Sequence, residues 1–238
     1  MWKNINIEKC LSHINKQGAS ADENSPGTKP AITISRMCGA GGRTVASKLA
    51  ECLESHASLG QHWTIFDRNL IKKVVEDHCL SVRLSEFLPE SSQSLLAELM
   101  EKLRGKKTSG SAIVEKTVET IWQLAAGGYV ILVGRAGNVI TASLPNVFHV
   151  RLVASLEKRI ERVEEVYDFG RFAARAYIKS QDVGKRHYLK EYFGQDIDNP
   201  ELYHLVVNTD RISYDDAAKL IGDAAIRWFK PTPTASAT

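Results

Sequence analysis

The sequence predicts an α/β fold of three layers, with helices on both faces of a five-stranded parallel sheet. Two observations predict it. Apolar runs of buried-strand length alternate with stretches of helical periodicity, and the chain is long enough to bury a full core. The 238 residues are 43% hydrophobic and 25% charged, with 31 basic against 28 acidic side chains. That mixture excludes collagen-like, mucin-like and wholly disordered chains. A net charge of +3 argues against a dedicated nucleic-acid binder, whose basic excess is plainer. No apolar run approaches the ~20 residues of a membrane helix, and the opening residues carry no secretory signal. Cys10, Cys38, Cys52 and Cys79 stand singly, fitting neither a zinc spacing nor a disulfide framework. They are expected as reduced thiols of a soluble, cytoplasmic protein.

Taken in order, Ile5, Cys10, Leu11 and Ile14 recur at helical spacing, so a helix is expected within residues 1–17. Residues 18–30 lose that periodicity, collect loop formers and read as a linker. The compact domain is expected over residues 31–230 and a frayed tail over 231–238. Its strands are read at 31–35, 63–66, 129–133, 147–153 and 205–208, with His149 and Arg151 unusual inside the fourth. Val45, Leu49, Cys52 and Leu53 mark the helix after the first strand. Val114, Val118, Ile121 and Ala125 mark another, closed by Gly127 and Gly128. Ser213 with Asp216 forms an acidic capping box for the last helix, whose stripe runs Ala217, Leu220, Ile221, Ala224, Ile226. Residues 156–192 are helical but charged and short of buryable surface, so they are expected to lie outside the sheet as a lid.

The stretch Ile32 to Val45 reads as strand, glycine-rich loop and helix start, in that order. Glycines let successive backbone N–H groups turn inward, and the following helix N-terminus adds partial positive charge; together they cradle a phosphate. A plain glycine turn would not need three glycines in four positions. The dinucleotide pattern G-x-G-x-x-G fails at Thr44, and the P-loop pattern G-x-x-x-x-G-K-[ST] meets Arg36 at its first glycine and Gly42 at its lysine. Arg43 adjoins the missing lysine, and Arg36 stands at the other side of the loop, so either can bring a cation to a β- or γ-phosphate.

Ser35-Arg36-Met37-Cys38-Gly39-Ala40-Gly41-Gly42-Arg43, then Phe66-Asp67-Arg68-Asn69-Leu70-Ile71, then Val133-Gly134-Arg135-Ala136 resemble the cytidylate kinase-like family of P-loop proteins. Glu157 to Arg162, Asp182 to Tyr188 and Tyr203 to Arg211 keep the family's order, so the resemblance spans about residues 31–228. It implies a P-loop kinase type of fold with an acceptor insertion after the second strand, at residues 81–108, and a mobile helical lid before the fifth. It implies ATP and Mg²⁺ as cofactors, small-molecule nucleotides as partners and no membrane. The implied activity is phosphoryl transfer to a nucleoside monophosphate, CMP-like, or a similar small phosphate ester. Where the family's arginine is followed by an aspartate that helps bind cytidine, this chain has Ala136.

On this reading Arg36, Gly39, Ala40, Gly41, Gly42, Arg43 and Thr44 bind the nucleotide, with Thr44 also a possible Mg²⁺ contact. Arg43, Arg162, Lys185 and Arg186 are the candidate catalytic cations. Asp67, Arg68, Arg135 and Asp182 are the candidate substrate-binding residues. Asp67 and Arg68 fall at the carboxyl end of the second strand, where open α/β sheets bind ligands; a helix N-cap with a solvated arginine explains them equally well. Arg171, Arg175 and Lys179 with Asp182, Arg186 and Lys190 recur at helical spacing, which fits either a solvated face or a phosphate-covering lid. Glu164-Glu165 and Asp215-Asp216 read as exposed helix positions. The histidines show no metal spacing, and no G-x-S-x-G elbow is present. Two other classes remain as alternatives: a catalytically inactive nucleotide- or phosphate-binding regulatory module, and nucleotide-dependent oxidoreduction.

Overall fold

The computed structural model describes residues 29–56, 61–67, 97–101 and 111–229. The expected N-terminal helix, most of the linker and of the 81–108 insertion, Arg68 and the tail lie outside them. Five strands, β1 (Ala31–Arg36), β2 (Thr64–Phe66), β3 (Val130–Val133), β4 (Val147–Val153) and β5 (Leu205–Asn208), form one sheet in the order β2-β3-β1-β4-β5. Every pairing is parallel. Parallel neighbours need crossover connections, and helices supply them: α1 (Gly42–Ser55), α2 (Ser111–Gly127), α3 (Gly137–Ile140), α4 (Leu156–Tyr167), α5 (Arg171–Phe193) and α6 (Tyr214–Phe229).

Alternation along the strands separates two cores. Ile32, Ile34, Ile131, Val133, Val150 and Leu152 pack beneath α1 and α6. Ala31, Phe66, Val130, Leu132 and Val147 face α2, whose Val118, Ile121, Trp122 and Ala125 are fully buried. The result is the three-layer arrangement expected. β1 reaches one residue further than read, to Arg36. β3 starts one later, because Tyr129 takes a positive φ of 50° behind Gly128, closing the turn from α2.

The two unusual strand residues are satisfied. His149 shares a 2.9 Å hydrogen bond with Thr33 Oγ1. Arg151 donates to Ser35 Oγ at 3.0 Å and to Asp198 at 2.5 Å. Buried polar side chains with partners are compatible with a central strand. The serine half of the expected capping box forms: Ser213 Oγ accepts the Asp216 N–H at 3.1 Å, while the Asp216 carboxylate accepts from the Ser213 hydroxyl at 2.7 Å.

The segment expected as a lid is more strongly built than its charge suggested. α4 and α5 share a small core of Ile160, Val163, Ala174 and Ile178, against which Cys38 of the loop packs. Further along, Leu189 of α5 enters the main core beside α2. α5 therefore leaves the lid and joins the body of the fold within one unbroken helix.

Candidate functional site

Because all strands run the same way, the segments following β1, β2 and β3 emerge at one edge of the sheet. There they border a cavity of about 1150 Å³ that α4 and α5 close from the side. The loop between β1 and α1 is its floor. Gly39 and Gly41 take φ of 84° and 76°, a region in which side chains are strained. Both are also hemmed in. A Cβ on Gly39 would stand 2.7 Å from the Arg159 carbonyl oxygen, and one on Gly41 would enter the Tyr214 ring. The glycines thus serve the loop's shape and its contact with α4 and α6.

Cations converge on this loop. The Arg36 side chain passes over Gly42 and reaches Gly134, where a Cβ would collide with its guanidinium. Arg43 pairs with Asp67 at 3.0 Å, linking the loop to the end of β2. Arg162 of α4 donates to Thr44 Oγ1 at 3.1 Å and lies 5.6 Å from the Tyr214 ring centroid. Lys185 of α5 contacts the Arg36 carbonyl at 3.4 Å and Asp182 at 3.1 Å. Burial pushes the Lys185 ammonium below its ordinary range, and the neighbouring Arg36 charge adds to this.

Asp182, read as a substrate contact, accepts the Cys38 N–H at 2.8 Å and pairs with Arg159 at 2.6 Å. Burial alone would raise its carboxyl; Lys185, the Cys38 N–H and Arg159 together hold it below the usual range. Its place is between loop and lid, pinning one to the other. Arg186 also lies elsewhere than expected. Its guanidinium meets Asp198 at 3.0 Å, half exposed and outside the cavity wall. Arg135 does line the cavity, beside Tyr188. Arg175, Lys179 and Lys190 are exposed, the solvated face that charge runs usually form.

Sequence reasoning missed Arg159, which clamps Asp182, and the chain Asp198–Arg151–Ser35 behind the loop, in which the buried Arg151 links an exposed carboxylate to a buried hydroxyl. The only signal for the latter was the charged residue inside β4. It also missed Tyr214, the lid over Gly41, although its place directly after the Ser213 cap puts it at the sheet edge.

A phosphate tail fits this set: a loop with three glycines leading into the N-terminus of α1, and cations from four segments. A divalent ion fits it less well, since the Thr44 hydroxyl already accepts from a guanidinium. Among the described residues no three His, Cys, Asp or Glu side chains gather to hold a metal. Mg²⁺ in this site would be held chiefly by the nucleotide's own oxygens.

A parallel sheet in a three-layer α/β arrangement, with a glycine-rich loop after β1, defines the class. The particular family follows: the model of the cytidylate kinase-like family matches residues 31–211, and the chain belongs to that family. A cytidylate kinase of Halobacterium salinarum is 27% identical over 208 residues, covering 85% of this chain and 95% of its own. One from Methanopyrus kandleri is 26% identical over 190 residues, covering 80% and 90%. A crystal structure of an uncharacterized protein from Eubacterium ventriosum superposes with a TM-score of 0.65 at 19% identity, covering 84% of this chain and 99% of that one. That likeness establishes the fold. Among the described residues, no helix is long and apolar enough to cross a membrane.

Proposed function

We propose that the protein transfers the γ-phosphoryl group of ATP, with Mg²⁺, to a nucleoside monophosphate (CMP-like) or a similar small phosphate ester. The observation that carries this reading is the meeting of Arg36, Arg43, Arg162 and Lys185 on a glycine loop that shares one cavity with Asp67 and Arg135. Phosphoryl transfer asks for in-line positioning and neutralisation of spread negative charge, with little covalent work by the protein. The loop from Gly39 to Thr44, including Ala40 and Gly42, holds the polyphosphate. Lys185 brings in from α5 the ammonium that the loop lacks at Gly42, and Arg43 and Arg162 flank it. Arg135 with Arg68 clamps the acceptor's phosphate, and Asp67 orients Arg43 toward it. Asp182 and Arg186 hold the loop and the Asp198 segment in place. Mg²⁺, arriving with the nucleotide, supplies charge neutralisation on the phosphates.

Transfer from labelled ATP across a panel of nucleoside monophosphates tests this. Arg43→Ala and Arg135→Ala are each expected to lower turnover by roughly 10²-fold or more. Unchanged transfer in both variants would overturn the assigned roles. The inactive binding module stays as a second reading because Gly42 replaces the lysine and Ala136 the aspartate; ATP binding without transfer to any acceptor would favour it.

A further inference from the structure

α4 and α5 form a hairpin: residues 168–170 join them, and Ile160, Val163, Ala174 and Ile178 hold them together. Tyr177, Gln181, Lys185 and Tyr188 turn one side of α5 to the cavity. Its opposite side carries Phe172, Ala176, Lys179, Val183, Arg186 and Lys190, all exposed. Steps of four and three residues alternate along this set, which keeps it on one line of the helix, roughly 27 Å long by the rise per residue. Phe172 is 89% exposed and Val183 54%, and every charge on the line is positive. Arg175 stands beside it. Arg186 is answered by Asp198; among the described residues Arg175, Lys179 and Lys190 make no ion pair.

α4 repeats the rhythm with the opposite sign. Glu157, Glu161, Glu164 and Asp168 follow one another at four, three and four residues. Arg171, at the start of α5, reaches both Glu157 and Glu164, so this acidic line borders α5. Lys158 pairs with Glu161 at 2.8 Å. Both Glu157 and Glu161 are paired at the surface, where such contacts contribute little and are open to exchange. Asp168 has no ion pair among the described residues.

A basic line and an acidic line of matched rhythm on one hairpin are complementary to a second copy of that hairpin. Related by a twofold axis, α5 of each copy lies along α4 of the other, and both charge matches are made at once. Phe172, with Phe169 and Tyr167 at the turn, supplies an apolar centre. The chain's own N-terminal segment suits the α5 line poorly, having Lys3, Lys9 and Lys16 against Glu8.

We propose that the outer side of the α4–α5 hairpin is the surface on which two copies of this chain associate, α5 of one against α4 of the other. Two helix faces of this length lie at the small end of specific interfaces, so the pair is reversible and salt-sensitive. The cavity lies on the other side of α5 and stays accessible in the pair. The surface does not depend on the phosphotransfer reading.

Sedimentation equilibrium of the full chain at low and high salt tests this, with two charge-reversed variants. Arg175→Glu with Lys179→Glu reverses α5, and Glu157→Lys with Glu161→Lys reverses α4. The parent is expected to dimerise at low salt, and each variant to associate about tenfold or more weakly, with a melting temperature near the parent's. Mixing the two variants should restore association, because each then offers the other the sign it has lost. A mixture that associates no better than either variant alone overturns the proposal. Loss of association on reversing α5 but not α4 overturns it too, since α5 would then be meeting another acidic surface. A parent chain that stays monomeric at low salt also overturns it, and salt-dependent binding of a fluorescent oligonucleotide by that monomer, lost in the α5 variant, would give the face to a nucleic acid instead.

Discussion

His149 shows how a single buried side chain sets the chain's response to acid. It is 6% exposed, and burial, aided by His204 alongside, pushes its imidazole from 6.5 down to about 3. Between those values the unfolded chain takes up a proton that the folded chain refuses. Stability is therefore complete above the unfolded value and falls as pH drops through the window, by up to about 1.4 kcal/mol per pH unit. Urea unfolding at pH 7 and pH 5 should differ by about 2 kcal/mol from this residue, the chain being weaker at pH 5. A His149→Gln variant with the same difference between the two pH values would show that the histidine is not responsible. Nothing in the sequence announced this group beyond its odd position in an apolar run; its pairing with Thr33 needs β1 and β4 side by side, 116 positions apart.

At the scale of elements, the loop after β1 is wedged between α4, α5 and α6. Arg159 backs Gly39, Asp182 takes the Cys38 N–H, and Tyr214 covers Gly41. Gly41→Ala should meet both a left-handed φ and the Tyr214 ring, costing about 1–3 kcal/mol, read as a melting temperature lowered by several degrees. A variant as stable as the parent would mean that the loop yields easily. The strands and helices were legible because their periods of 2 and 3.6 are local properties of the chain; β4 and β5 agree with the reading residue for residue. The partners of Asp182 and Arg186 were not. Spacing puts both on α5, yet Asp182 turns to the loop and Arg186 to Asp198, a choice set by how α5 lies against the sheet.

For the whole molecule, the site is an edge property of the parallel sheet. β1, β2 and β3 deliver Arg36, Asp67 and Arg135 to one side, and the lid helices bring cations from above. The glycine loop and its arginines were readable in the sequence, since glycines and cations directly after an apolar run make a local pattern. The supporting shell of Arg159, Arg151 and Asp198 was not, since it is assembled from distant segments. A ligand that binds only the assembled site must stabilise the fold. ATP with Mg²⁺ at 100 times its dissociation constant should add about 2.7 kcal/mol, a rise of several degrees in melting temperature. Lys185→Met should shrink that rise, and an unaltered response to nucleotide in this variant would place the polyphosphate elsewhere.

α5 runs as one rod of 23 residues, roughly 35 Å long by its rise per residue. It bears on the glycine loop through Asp182, on the Arg135 wall through Tyr188 and on the main core through Leu189. One continuous helix thus ties the loop, the cavity wall and the core together, so a substitution that shifts α5 at any of these contacts is expected to disturb the other two.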